Sequence, residues 1–149
     1  MKKNLKASRS IEIFANRDKV WDALVNPDKM KAYFLGTDID VDWNEGGELS
    51  FKYEEDGQKY EDKGQVLEVK PKELIKYKYW GKNSGLEDKP ENYSTVNYRL
   101  EQVGEASVKL IWEQEGFPDE DRRYTTEKEL PNALNTIKLL AEKEERGIT

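Results

Sequence analysis

The side chains that could do chemistry in this sequence are carboxylates and phenols. Tyr60 and Asp62 stand two apart and share one face of an alternating segment, with Glu61 opposite. A carboxylate beside a pocket works as a base when burial raises its pKa. The competing reading of Asp62 is a solvated strand end, the ordinary fate of one acid among 31 Asp and Glu, and it is the expectation held for this residue. No histidine and no cysteine occurs in the 149 residues. Imidazole acid–base chemistry, thiol nucleophiles, disulfides and Cys-His zinc sites are excluded by that count. No catalytic residue, metal ligand or cofactor is assigned, and the residue types favour binding over catalysis.

The remaining motifs that resemble sites have plainer explanations. Gly46-Gly47 joins two strands and lacks the helix and Lys-Ser/Thr of a phosphate loop. Glu54-Glu55-Asp56 precedes a hairpin turn and faces solvent, without the dispersed ligands of a calcium loop. Asp119-Glu120-Asp121 opens a helix, where acids favour the positive end of the dipole.

Aromatic residues are a stronger signal. There are 4 Trp, 8 Tyr and 4 Phe, 11% of the chain, beside 38% charged residues. Disordered chains are poor in aromatics, so this composition describes a charged shell around an aromatic core. Trp43, Phe51, Tyr53, Tyr77, Tyr79, Tyr98 and Trp112 alternate onto inner strand faces. Buried Tyr and Trp need hydrogen-bond partners, so this group implies an inner face that is partly wet or ligand-filled. The net charge of −6 argues against a nucleic-acid partner. No stretch is apolar enough for a bilayer, and no apolar run follows the basic start Met1–Ser10, so a cytoplasmic location and no membrane partner are expected.

These side chains need positioning elements. Ile11 to Phe14 reads as a strand. Asn16 is an N-cap for a helix with Val20, Trp21 and Leu24 on one face, and Asn26-Pro27-Asp28 starts a second helix that stops at Gly36. Antiparallel strands follow, over 38–43, 49–53, 60–69, 75–79, 96–100 and 108–112. Asp56-Gly57 is a two-residue hairpin signal. Near Gly64 the alternation breaks between Val66 and Leu67, which predicts a bulge or bend. Gly81 to Asn92 is a long polar loop. Leu130, Ala133, Leu134, Ile137, Leu140 and Ala141 follow helical spacing. Pro131 should kink this helix or mark its start, leaving 119–129 as a separate frayed segment. The expectation is that residues 1–149 form one α+β domain, β-α-α-β6-α, a curved antiparallel sheet around a long C-terminal helix with an internal hydrophobic cavity.

Several segments carry a resemblance. They are Ile11-Glu12-Ile13-Phe14-Ala15 with Val20-Trp21-Asp22-Ala23-Leu24, Trp43 to Phe51, Tyr60 to Val69, Glu115-Gly116-Phe117, and Leu134 with Leu139-Leu140. In this order and spacing the chain resembles the helix-grip (START-like, Bet v 1-like, SRPBCC) superfamily, and more closely the bacterial proteins related to the activator of Hsp90 ATPase. Many relatives have Gly-Trp near the start of the last helix, where this chain has Leu130-Pro131. The resemblance implies a pocket between sheet and long helix for a hydrophobic or aromatic small molecule. Its expected lining is the seven aromatics above with Tyr60, closed by Trp21 and Phe34 at one end and by Leu134 and Ile137 opposite. It also implies two alternatives, an Hsp90-type chaperone partner and a cavity enzyme using Tyr or Asp. Exposed strand edges would permit a monomer or a weak dimer.

Overall fold

The computed structural model describes residues 5–34, 37–81 and 85–147. Strand β1 (Lys6–Ile13) leads into helix α1 (Arg17–Val25) and helix α2 (Pro27–Tyr33). The Asn16 side chain accepts the Lys19 N–H at 3.1 Å and caps α1. Asn26 serves both helices: its N–H bonds the Asp22 carbonyl, and its side chain accepts from Asp28 N–H. Helix α2 ends at Tyr33 with Phe34 as its C-cap, and the expected stop at Gly36 lies outside the described residues.

Six more strands follow: β2 (Asp38–Val41), β3 (Glu48–Glu55), β4 (Gln58–Lys70), β5 (Leu74–Trp80), β6 (Ser94–Gly104) and β7 (Ser107–Glu115). They form one curved, antiparallel, seven-stranded open sheet with β1, ordered β1-β7-β6-β5-β4-β3-β2. Asp56 and Gly57 have φ of 52° and 77°, the left-handed pair of a type I′ turn whose twist suits a hairpin. The bulge falls between Val66 and Glu68, as the broken alternation predicts. At Gly64 a Cβ would stand 2.5 Å from the Lys78 carbonyl, so only glycine permits this approach of β4 to β5.

Helix α3 (Glu120–Glu145) corrects one expectation. It runs unbroken through Pro131, and 119–129 is not a separate segment. Three contributions offset the missing proline N–H. Asp119 caps the start through its bond to Arg122 N–H, Arg123 pairs with Glu120 and Glu127, and Arg9 on β1 reaches Glu127 at 3.3 Å. Pro131 itself faces solvent, while Leu130, Leu134, Ile137 and Ala141 are buried. Packing of that stripe holds the helix where local propensity would interrupt it.

The helix lies across β1, α1 and α2. Its C-terminal half is tied to the β1–α1 junction. Phe14 N–H donates to Glu142 at 2.9 Å, and the Lys138 ammonium donates to the Glu12 carbonyl at 2.9 Å while sitting over the Phe14 ring. The long loop after β5 is anchored through Trp80, whose indole donates to the Leu86 carbonyl, and by a Lys63–Asp88 ion pair.

Candidate ligand-binding site

The sheet face that α3 crosses is paved with aromatic rings. Tyr77 on β5 and Tyr98 on β6 lie side by side, ring centroids 5.6 Å apart, with hydroxyls 2.6 Å apart. Trp112 on β7 meets Tyr98 edge-on at 4.7 Å. Tyr33 comes down from α2, donates its hydroxyl to the Leu24 carbonyl at 2.6 Å, and turns its ring toward Trp112 at 6.2 Å. Phe34 packs against Tyr33, Phe51 and Trp112. Burial pushes the Tyr33, Tyr77 and Tyr98 phenols upward, so they keep their protons and act as neutral donors.

Asp62 corrects a second expectation. It is not a solvated strand end but only 6% exposed. Its carboxylate accepts the Tyr53 hydroxyl at 3.1 Å and also the Tyr79 hydroxyl. Burial first, and then the Asp62 charge, hold the Tyr53 and Tyr79 phenols above their ordinary range. The inward alternation of β4 puts Asp62 on the core side, and two phenols from β3 and β5 satisfy it there.

A pocket of about 460 Å³ opens between this aromatic floor and α3. Tyr33, Phe34, Tyr77, Tyr79, Val96, Trp112 and Gln114 line it from the α2 and sheet side. Thr126, Glu129, Leu130, Asn132, Ala133 and Thr136 line it from α3. Four of the residues singled out in the sequence therefore border it: Phe34, Tyr77, Tyr79 and Trp112. Tyr98 and Phe51 lie behind them in the core. Trp43 packs on Tyr77 and donates its indole to the Val25 carbonyl at 2.9 Å. Tyr53 and Tyr60 stack on each other at 5.3 Å. Trp21 packs on the core, and Leu134 and Ile137 are buried within it; none of the three borders this pocket.

Sequence reading passed over Tyr33 and the polar residues of the α3 wall, although Leu130 and Ala133 stood in its helical pattern. Tyr33 follows buried Met30 by one helical turn, a spacing that could have marked it. The wall residues Thr126, Glu129, Ala133 and Thr136 also recur at helical spacing, the last three each one position before a core residue. Mostly polar, they give no hydrophobic signal. Among the described residues no cluster of acids is placed to hold a metal ion, and no helix is long and apolar enough to cross a membrane.

Comparison with known proteins agrees with this fold. The solution structure of ChR145 from Cytophaga hutchinsonii is 32% identical, with a TM-score of 0.81 and 97% of each chain covered. PFC0360w, an HSP90 activator from Plasmodium falciparum, is 20% identical with a TM-score of 0.62, covering 76% of this chain and 74% of that one. Ara h 8.0201, at 10% identity, shares the fold with a TM-score of 0.74 over 95% of this chain and 99% of that one. No curated protein matches the chain. The family model "Activator of Hsp90 ATPase homolog 1-like protein" matches residues 15–142, and the chain belongs to that family, on the helix-grip fold.

Proposed function

We propose that this protein binds a small apolar or aromatic molecule in the pocket beneath the N-terminal half of α3, in the cytoplasm and without chemical turnover. The observation that carries this reading is the pocket itself, about 460 Å³ and walled by Tyr33, Phe34, Tyr77, Tyr79, Val96 and Trp112. Ligand pockets run to about 300–1,000 Å³, mostly apolar with a few placed polar groups. Trp43, Phe51, Tyr53, Tyr60 and Tyr98 would stiffen the floor, and Trp21, Leu134 and Ile137 would back it. The two tyrosine hydroxyls on Asp62 favour a structural over a catalytic role for that carboxylate.

The test is a titration with Nile red and a panel of neutral aromatic fragments, followed by fluorescence and by amide NMR. Saturable binding that shifts residues of β5, β7 and α3, and that is lost in Ala133→Trp, is the expected result. Absence of saturable binding across the panel would overturn the reading.

A chaperone-directed role is the second reading, favoured by the family match and by the likeness to an HSP90 activator. Addition of the protein to the cognate Hsp90 distinguishes it: an increase in ATP hydrolysis supports this role, and a flat response removes it.

A further inference from the structure

One polar atom in the aromatic floor is left over. Trp112 is 5% exposed and borders the pocket. Its Nε1 is closed off from solvent and has no hydrogen-bond partner among the described residues. A buried donor without an acceptor is costly, and such atoms are uncommon enough in folded proteins to need a reason. The other polar side chains of the floor are engaged. Tyr33 is bonded to Leu24, Tyr77 to Tyr98, Tyr79 to Asp62, and Gln114 donates to Ser94 Oγ at 2.9 Å.

Two further features bear on what could satisfy it. Phe34 packs on Trp112 and is the one ring of the pocket's aromatic wall with no hydroxyl or N–H to tether it. It stands at the C-cap of α2 and is only partly buried, so it is the ring most easily displaced from the indole. Glu129 is the only charged side chain among the described residues that line the pocket.

From this arrangement we infer that the pocket selects a neutral, planar aromatic molecule carrying one hydrogen-bond acceptor, which displaces the Phe34 ring and takes the Trp112 indole N–H. This rests on the binding function proposed above and names the ligand class for the same site. The acceptor restores a bond that the protein alone leaves unmade, so it strengthens binding, whereas an acceptor in an all-apolar pocket only loses its water. A negative charge is disfavoured by Glu129 and by the carboxylate of Asp62 behind Tyr79.

The probes are naphthalene and quinoline, which share a shape and differ by one ring nitrogen, with 2-naphthoate as the anionic arm. Binding is measured by titration near neutral pH to wild type and to Trp112→Phe. The Trp112 indole N–H resonance, assigned by through-space contacts in the wild-type protein itself, is followed there and needs no variant to fold. Quinoline is expected to move this resonance downfield where naphthalene does not. Trp112→Phe should cost quinoline about ten-fold relative to naphthalene, the scale of one hydrogen bond. 2-Naphthoate should bind more weakly than quinoline. If naphthalene and quinoline both saturate, with the indole resonance unmoved and their ratio unchanged by Trp112→Phe, the acceptor inference falls while the pocket function stands. If 2-naphthoate binds as tightly as quinoline, the requirement for a neutral ligand falls. If no probe binds, the pocket function and this inference fall together.

Discussion

The two long faces of α3 meet the rest of the protein in opposite ways. Leu134, Ile137 and Ala141 form a stripe sealed into one core with Ile13, Val20 and Leu24, and Leu130 stands where that core meets the pocket. One position earlier in each turn, Glu129, Ala133 and Thr136 stand over a pocket instead, with Thr126 one turn before them. The helix is continuous, so the difference does not come from local conformation. It comes from what lies opposite. The core stripe meets aliphatic side chains that interdigitate, while the other meets broad rings, among them three tyrosines held by their own hydroxyl bonds, and these do not rise to fill the gap.

The largest expected effect tests that contrast directly. Leu134→Ala should lose about 2–5 kcal/mol in urea denaturation, as buried leucines do. Ala133→Leu, at the neighbouring position, should stay within about 1 kcal/mol of wild type because it grows into the pocket. Equal destabilisation by the two would mean that both faces are close-packed.

Pro131 lies on the solvent side of α3, with the core stripe between it and the pocket-facing positions. Pro131→Ala restores a helical N–H and should raise stability by about 1–2 kcal/mol, less than the full propensity difference of about 3 kcal/mol. A drop in the thermal midpoint would show that the proline shapes the pocket wall. Asp62→Ala tests whether the floor depends on its carboxylate. It leaves the Tyr79 hydroxyl buried without that acceptor and should cost about 1–3 kcal/mol by chemical denaturation. No change would mean that the tyrosines find other partners.

The smallest effect is at the sealed end of α3. Burial works to raise the Glu142 carboxyl, but the Lys138 hydrogen bond, the Phe14 N–H and the nearby positive charges outweigh it, and its pKa is lowered. A carboxyl with a lowered folded-state pKa adds stability above its unfolded value of about 4.3, and that contribution fades as the pH falls through the folded value. Glu142→Gln should cost about 1 kcal/mol near neutral pH and less in acid. A loss independent of pH would make its role one of packing.

Much of the fold was legible because its signals are local. The Asn16 cap, the Asn26-Pro27 restart and the Asp56-Gly57 hairpin each follow from two or three adjacent residues. The bulge after Val66 shows as a broken alternation, since a one-residue insertion reverses every later side chain. Pro131 misled for the complementary reason. Its local penalty is real, but the Arg9–Glu127 ion pair to β1 and burial of the core stripe override it, and both depend on residues far away in the chain. The candidate site was legible only in part. Alternation marks Tyr77, Tyr79 and Trp112 as inward, yet does not separate rings that border a pocket from those behind it, such as Tyr98 and Phe51.

By itself, then, the sequence determined which residue types were available and which way each strand turned them. The lack of histidine and cysteine, the aromatic inner face and the order of elements all follow from composition and period. Three matters were decided only in three dimensions: the burial of Asp62 between two tyrosines, the division of α3 into a packed face and an open one, and the unmatched indole of Trp112. Each depends on distances between elements remote in sequence, and those distances are set by how rings and side chains pack once the sheet has curved around the helix.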